Sequence, residues 1–175
     1  MTADRDLDRL LAFAHGLLDE TDAIALTHFR SGVSPERKPD RTLVTAADTE
    51  GERVIRSRIA GAHPAHGVIG EEFGDEAADA EVAWIVDPVD ATHNFVRGIG
   101  VWATLLACRI GGEPAVGLVS APAMGARWWA ALPGEAWVRD EAGTRRIGVS
   151  GVDRLADGQF LYGDARALGG RAVVA

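Results

Sequence analysis

WIVDPVDATHNFVRG, running from Trp84 to Gly98, decides the fold. Three apolar residues, Trp84, Ile85 and Val86, lead straight into Asp87 and Asp90, with Pro88 between the two acids. A short apolar run bounded by a proline reads as a buried strand. Its end carries two anions where neutral turn residues are usual, and Pro88 stiffens the turn that separates them. Ala91-Thr92-His93-Asn94 then opens a helix, whose first N–H groups and positive dipole end suit a phosphate. A second apolar run, Val68-Ile69, ends the same way, with Glu71 and Glu72 following Gly70. Two buried strands that each deliver acids at their C-terminal ends bring several carboxylates together. Such a cluster repels itself unless a cation enters it. All-oxygen ligation suits Mg2+, and the backbone carbonyl of Val89 is a natural further ligand. Carboxylates for a cation beside a helix start for phosphate describe a metal-dependent phosphoryl site. Two plainer readings stand beside this one: an Asp-Pro step also makes a structural turn, and Glu71-Glu72 also makes a solvated loop.

Upstream the period is helical. Leu7, Leu10, Leu11, Ala14, Leu17 and Leu18 recur at three and four, which predicts a helix to about Phe29. Gly32, Pro35 and Pro39 in SGVSPERKPD then break it. TAAD places Thr45 as N-cap with Asp48 three residues on, a capping-box spacing that by itself needs no catalytic role. Val54, Ile55 and Ile59 stripe this second helix, and Gly61 is its expected end. Downstream the period shortens. GVIGEE, VAWIVD, VWATLLACRI, AVGLVSAP, RWWAAL, EAWV and RRIGVS read as strands, IGGEPAVG as a hairpin connection and EAADAE as an exposed loop. The expected class is α+β, a mostly antiparallel sheet packed on two helices.

Composition narrows the function. The 175 residues are 47% hydrophobic with a net charge of −8, so no basic field recruits nucleic acid or an anionic membrane. No apolar run approaches the roughly 20 residues of a membrane helix. The acidic N-terminus lacks a signal-peptide pattern. A single cysteine, Cys108, excludes an internal disulfide, and the expected compartment is the cytoplasm. Cys108 sits in an apolar strand and reads as core. His93 has no partner at zinc-ligand spacing, and Trp128-Trp129 reads as packing, since neighbours on a strand face opposite ways.

VTAAD (Val44 to Asp48), GEEFG (Gly70 to Gly74) and WIVDPVDATHNF (Trp84 to Phe95) follow the order of motifs in the inositol monophosphatase-like family of Mg2+-dependent, lithium-sensitive sugar phosphatases. KPDRTLVTAAD, NFVRG, VWATLLA and VSAPAMGARWWAA look most like its bacterial histidinol-phosphate phosphatases. The resemblance spans roughly Leu7 to Ser150 and implies the N-terminal half of a layered αβαβα fold. It implies that Glu71, Asp87 and the Val89 carbonyl hold a first metal, and that Asp87 and Asp90 hold a second. It also implies that Thr92 pairs with Asp48, and that these two with Glu71 orient and deprotonate the attacking water. The amides of Ala91 and Thr92 would hold the phosphate. The implied activity is Mg2+-dependent hydrolysis of a small phosphomonoester, histidinol phosphate in histidine biosynthesis, with inositol phosphate as the rival substrate. A homodimer is the family's frequent assembly.

Departures from the pattern shape the expectation. Asp90-Ala91-Thr92 stands where the family reads Asp-Gly-Thr, and a Cβ at a position needing φ > 0 costs ~1–2 kcal/mol. His93, Gly100 and Leu43 replace the lysine and prolines usual in similar members. Residues 1–150 read as the metal- and phosphate-binding domain. Residues 151–175 read as a short remnant tail without the family's second α/β domain, whose tryptophan-aspartate motif completes the second metal site and whose neighbours choose the substrate. ALGGRAVVA faintly resembles the family's Gly-rich tail. A shortened chain is expected to turn over weakly, or to persist as an inactive metal-binding or partner-binding remnant, with an apolar face left open.

Overall fold

A computed structural model describes residues 3–32, 34–39 and 43–159. The tail ALGGRAVVA and the DRT step at 40–42 lie outside the described residues.

The predicted N-terminal periodicity forms α1 (Ala3–Ser31). Its apolar stripe buries Leu10, Ala14, Leu17, Leu18 and Ala25. Gly32, at φ 74°, follows its last residue in the left-handed conformation that glycine adopts without a Cβ clash. The segment expected only to break the helix also holds a small hairpin, β1 (Glu36–Arg37) paired with β2 (Leu43–Val44). Next comes α2 (Ala46–Ala62), which runs one residue past Gly61. Thr45 caps it as its spacing predicts: its hydroxyl accepts the Ala47 amide at 3.2 Å, while Asp48 accepts the Thr45 amide at 2.8 Å.

The strands are β3 (Gly67–Gly70), β4 (Gly74–Glu76), β5 (Val82–Asp90), then after α3 (Thr92–Val96) β6 (Ala103–Ile110) and β7 (Glu113–Ala121). β8 (Ala126–Ala131), β9 (Ala136–Asp140) and β10 (Gly143–Ile147) complete the set. Eight strands form one sheet in the order β10-β9-β8-β7-β6-β5-β3-β4. Every pairing is antiparallel except that of β3 with β5. The mostly antiparallel sheet on two helices is therefore what forms, with a short third helix and the edge strand β4 added.

Both long helices lie on one face of the sheet. Leu17, Leu18, Ile55 and Ile59 meet Trp84, Val86, Leu106, Cys108 and Leu118 in a single core. Cys108 is buried there, as its sequence context predicts, and burial pushes its thiol up to about 11. Trp129 faces the same layer, edge-on to His15, whereas its neighbour Trp128 pairs with Val119 on the other face. Arg127 fixes α1 to β8. It is 4% exposed, donates to Ser120 Oγ at 3.0 Å, and pairs with Asp22 at 2.6 Å and Asp19 at 2.8 Å.

The opposite face carries a groove of about 340 Å³ lined by Ile85, Leu105, Ala107, Gly117 and Val119. Ile85 is 38% exposed there. No helix among the described residues is long and apolar enough to cross a membrane.

Asp87 and Asp90 do not lie beyond the strand, as the sequence suggested, but inside it. β6 keeps pairing with β5 as far as Asp90 opposite Ala103. Between Asp87 and Asp90 the register slips, and Pro88 sits in that irregularity. A proline has no N–H for the ladder, so a bulge is where an inner strand tolerates it. The Pro88 carbonyl stays paired, accepting the Thr104 hydroxyl at 2.8 Å. α2 comes close at this point, because a Cβ on Gly51 would lie 3.2 Å from Pro88 Cβ.

Candidate active site

Five pieces of chain meet at one end of the sheet: the turn after β3, the bulged end of β5, the start of α3, the capped start of α2, and the β1–β2 hairpin. The parallel pairing of β3 with β5 aligns Gly70 with Val86, and the Glu71 amide donates to the Val86 carbonyl at 3.3 Å. Glu71 and Asp87 are thereby neighbours, as expected from two strands that end in acids. A cleft of about 150 Å³ is lined by Glu71, Asp87, Val89, Asp90, Ala91 and Thr92, together with Leu43 and His93. It gathers the expected metal and phosphate residues in one place. Asp48 lies apart from its lining, 2% exposed beneath the α2 cap.

The electrostatics are those of a site short of positive charge. Burial, then the charges of Glu71 and Asp90, push the Asp87 carboxyl up to about 8. A partial offset comes from the Val89 amide, which donates to Asp87 Oδ1 at 3.1 Å. Burial likewise raises Glu72 and Asp48 above the usual carboxylate range. Lys38, from the hairpin, answers this charge. Its ammonium lies 2.7 Å from Glu72 and 3.4 Å from Glu71. Burial acts to lower the Lys38 ammonium, but its hydrogen bond and attraction to Glu72, then Glu71, hold it above its ordinary value. Among the described residues no three Asp, Glu, His or Cys side chains converge closely enough to cage an ion. Glu71 touches both Lys38 and the Asp87 carboxyl, and Asp87 also accepts the Val89 amide.

Ala91 has φ 65° and ψ 44°, the left-handed conformation that glycine adopts most easily. The expected cost of its Cβ is therefore present. The helix it opens, α3, has five residues. That is too short for a sizeable macrodipole, which corrects the dipole expectation; what remains is local amides, since the first turn of any helix leaves its N–H groups without intrahelical acceptors.

The expected pairing of Thr92 with Asp48 is not made. The Thr92 hydroxyl donates to the Val89 carbonyl at 3.0 Å, and Asp48 accepts the Thr45 hydroxyl at 2.5 Å. Each polar group has found a partner within its own turn, where closure costs less chain entropy. The Val89 carbonyl keeps a second lone pair.

Two residues of the site carried no signal that singled them out. Lys38 stands in a stretch that reads as a helix breaker, and its carboxylate partners are 33 and 34 residues away. Glu52 is fully buried on α2 and bonded to the turn that carries Glu71. Its spacing, four after Asp48 and four before Arg56, is the one available clue.

The model described as the inositol monophosphatase family matches residues 6–165. The chain is 44% identical over 158 residues to a histidinol-phosphatase of Streptomyces coelicolor, covering 87% of this chain and 59% of that protein. It is 43% identical over 157 residues to a histidinol-phosphatase of Mycobacterium tuberculosis, covering 89% and 60%. Among solved structures, the IMPase of Thermotoga maritima aligns with a TM-score of 0.73 at 32% identity, over 82% of this chain and 54% of that one. The chain thus spans less than two thirds of the length of the curated relatives it matches. The resemblance carried by the three ordered motifs is borne out.

Proposed function

The chain belongs to the inositol monophosphatase family, and on that premise we propose that it forms the metal- and phosphate-binding part of a Mg2+-dependent phosphomonoesterase acting on histidinol phosphate. One observation carries the reading: an oxygen-lined cleft whose central acid, Asp87, is driven up to about 8 by burial and by its neighbours Glu71 and Asp90. Such a donor set fits a hard divalent cation, and the Lys38 ammonium beside Glu71 and Glu72 shows the same demand for positive charge.

Glu71, Asp87 and the Val89 carbonyl would hold the ion, with Asp90 adding a further oxygen. When bound, Mg2+ supplies positive charge that makes water more acidic and offsets the charge developing on the leaving oxygen. The amides of Ala91 and Thr92 are the phosphate donors in this reading. Glu71 takes the proton of the attacking water as the water oxygen bonds to phosphorus, and the ester P–O bond breaks, the leaving oxygen taking up a proton from solvent to depart as the alcohol. Asp48, held by Thr45 beneath the α2 cap, would help to orient that water from the Glu71 side. Thr92 serves by fixing the Val89 carbonyl through its hydroxyl.

The histidinol-phosphatases among the relatives favour histidinol phosphate over inositol phosphate as substrate. Residues 1–150 carry this site in the proposal, and substrate choice depends on chain that the longer relatives add. A second reading is an inactive metal-binding remnant, favoured by the left-handed Ala91. Phosphate release with and without Mg2+, on histidinol phosphate and inositol 1-phosphate in parallel, separates the two. The proposal expects Mg2+-dependent release from histidinol phosphate that Asp87→Asn abolishes. A folded chain that binds Mg2+ and releases phosphate from neither substrate is the remnant.

A further inference from the structure

Glu52 is fully buried, at 0% exposure, yet its carboxylate is not spent on another part of the core. It faces the main chain of the turn after β3. Oε2 accepts the Glu72 amide at 2.8 Å, and Oε1 accepts the Phe73 amide at 3.2 Å. Arg56, one turn further along α2, donates its Nε–H to Oε1 at 2.8 Å and a terminal N–H to the Gly74 carbonyl. One helix thus grips three consecutive residues of the turn through two side chains. On the other side of Glu71, Gly70 passes so close that a Cβ there would overlap the Glu52 carboxylate and the Arg56 guanidinium. Gly70 is also held opposite Val86 in the parallel ladder. Glu71 is therefore bracketed: the residue before it is pinned by the sheet and by contact with Glu52, and the residue after it by a hydrogen bond to the same carboxylate.

We propose that Glu52 is a positioning residue, which with Arg56 clamps the Gly70–Gly74 turn so that the Glu71 carboxylate stays beside Asp87 to share a cation. The inference rests on the reading of Glu71 and Asp87 as cation ligands. A side chain that merely filled the space would not need two acceptors in one plane. The carboxylate has them, and a glutamine has only one oxygen to offer two amides. The outer partners of metal ligands set affinity by fixing where those ligands point, and losing one typically costs about 10–100-fold.

The test titrates Mn2+, detected by its electron paramagnetic resonance, into the chain and into Glu52→Gln, Gly70→Ala and Asp87→Asn. Amide hydrogen exchange is followed by mass spectrometry in the same proteins. Glu52→Gln is expected to weaken Mn2+ binding about tenfold and to speed exchange across the 70–74 turn, with α1, β6 and β7 as protected as before. Gly70→Ala is expected to do the same with every buried charge kept, which preserves the test if Glu52→Gln does not fold. Asp87→Asn loses Mn2+ while the turn stays protected. Mn2+ binding unchanged in Glu52→Gln and Gly70→Ala overturns the proposal, as does weaker binding accompanied by faster exchange throughout the sheet. An unaltered chain that takes up no Mn2+ overturns the cation reading itself, and that outcome is visible before any variant is compared.

Discussion

Glu71 and Asp87 stand one residue beyond Gly70 and Val86, the last paired positions of the two strands in the sheet that run parallel. Parallel pairing delivers the ends of both strands to the same edge, so the two acids emerge side by side. An antiparallel pair would send them to opposite edges.

On the proposed reading that juxtaposition draws in a cation, and Mg2+ is then expected to stabilise the chain against heat. At a concentration ten times Kd the gain is about 1.4 kcal/mol. For a domain of this size that raises Tm by about 3–6 °C. Asp87→Asn should remove the shift. Scanning calorimetry with and without Mg2+ is the check, and an unmoved melting curve in the unaltered chain would refute the metal site.

Without divalent cations the same residue makes stability depend on pH. Asp87 is raised to about 8 in the folded chain, whereas an unfolded aspartate titrates near ~4. Between those values the folded state keeps a proton that the unfolded state has released. Stability from this group therefore falls as pH rises through that window and levels off above it. In chelator-treated protein, the Tm of the unaltered chain minus that of Asp87→Asn should decline between pH 5 and pH 8. Groups shared by both proteins, including the raised Glu72 and Asp48, largely cancel in the difference. A flat difference would show that neither burial nor the charges of Glu71 and Asp90 raise Asp87.

Ala91→Gly tests the strain at the start of α3. The left-handed φ of 65° is open to glycine at no steric cost. Part of the relief is offset by glycine's greater freedom in the unfolded chain, leaving a gain of about 0.5–1 kcal/mol. Urea denaturation should show a higher midpoint with an unchanged slope. A lower midpoint would mean that the alanine methyl packs more than it strains.

Arg127→Met tests the junction of α1 with the sheet. Arg127 and Asp22 have side chains 5% and 16% exposed, so removing the cation leaves a partly buried carboxylate with no countercharge on Oδ2, where the Ser120 hydroxyl still donates. The expected loss is about 3 kcal/mol. Asp22→Asn should cost less, because the guanidinium keeps Asp19, Ser120 and the His15 carbonyl as acceptors. Equal losses from the two changes would argue against that order of importance.

Much of this was legible in the chain itself. α1 follows from a stripe at three and four, and α2 from a Thr45–Asp48 box that forms as spaced. The acids after Ile69 and Val86 announced a charged strand edge, and Ala91 announced a strained turn. Hairpin β1–β2 escaped notice because two-residue strands carry no period. The continuation of β5 through Pro88 was hidden by a proline that ordinarily ends a strand.

Local chemistry determined which residues are acidic, which stripes are apolar and where the turns fall, because those properties depend on neighbours in sequence. Only the tertiary structure decided who neutralises whom. Lys38 reaches Glu71 and Glu72 from a different hairpin, Glu52 seizes the turn of β3 from a helix, and Thr92 chooses Val89 over Asp48. The physical reason is that the strength of a charge or hydrogen bond depends on separation and burial in space, and neither is written in the spacing of residues along the chain.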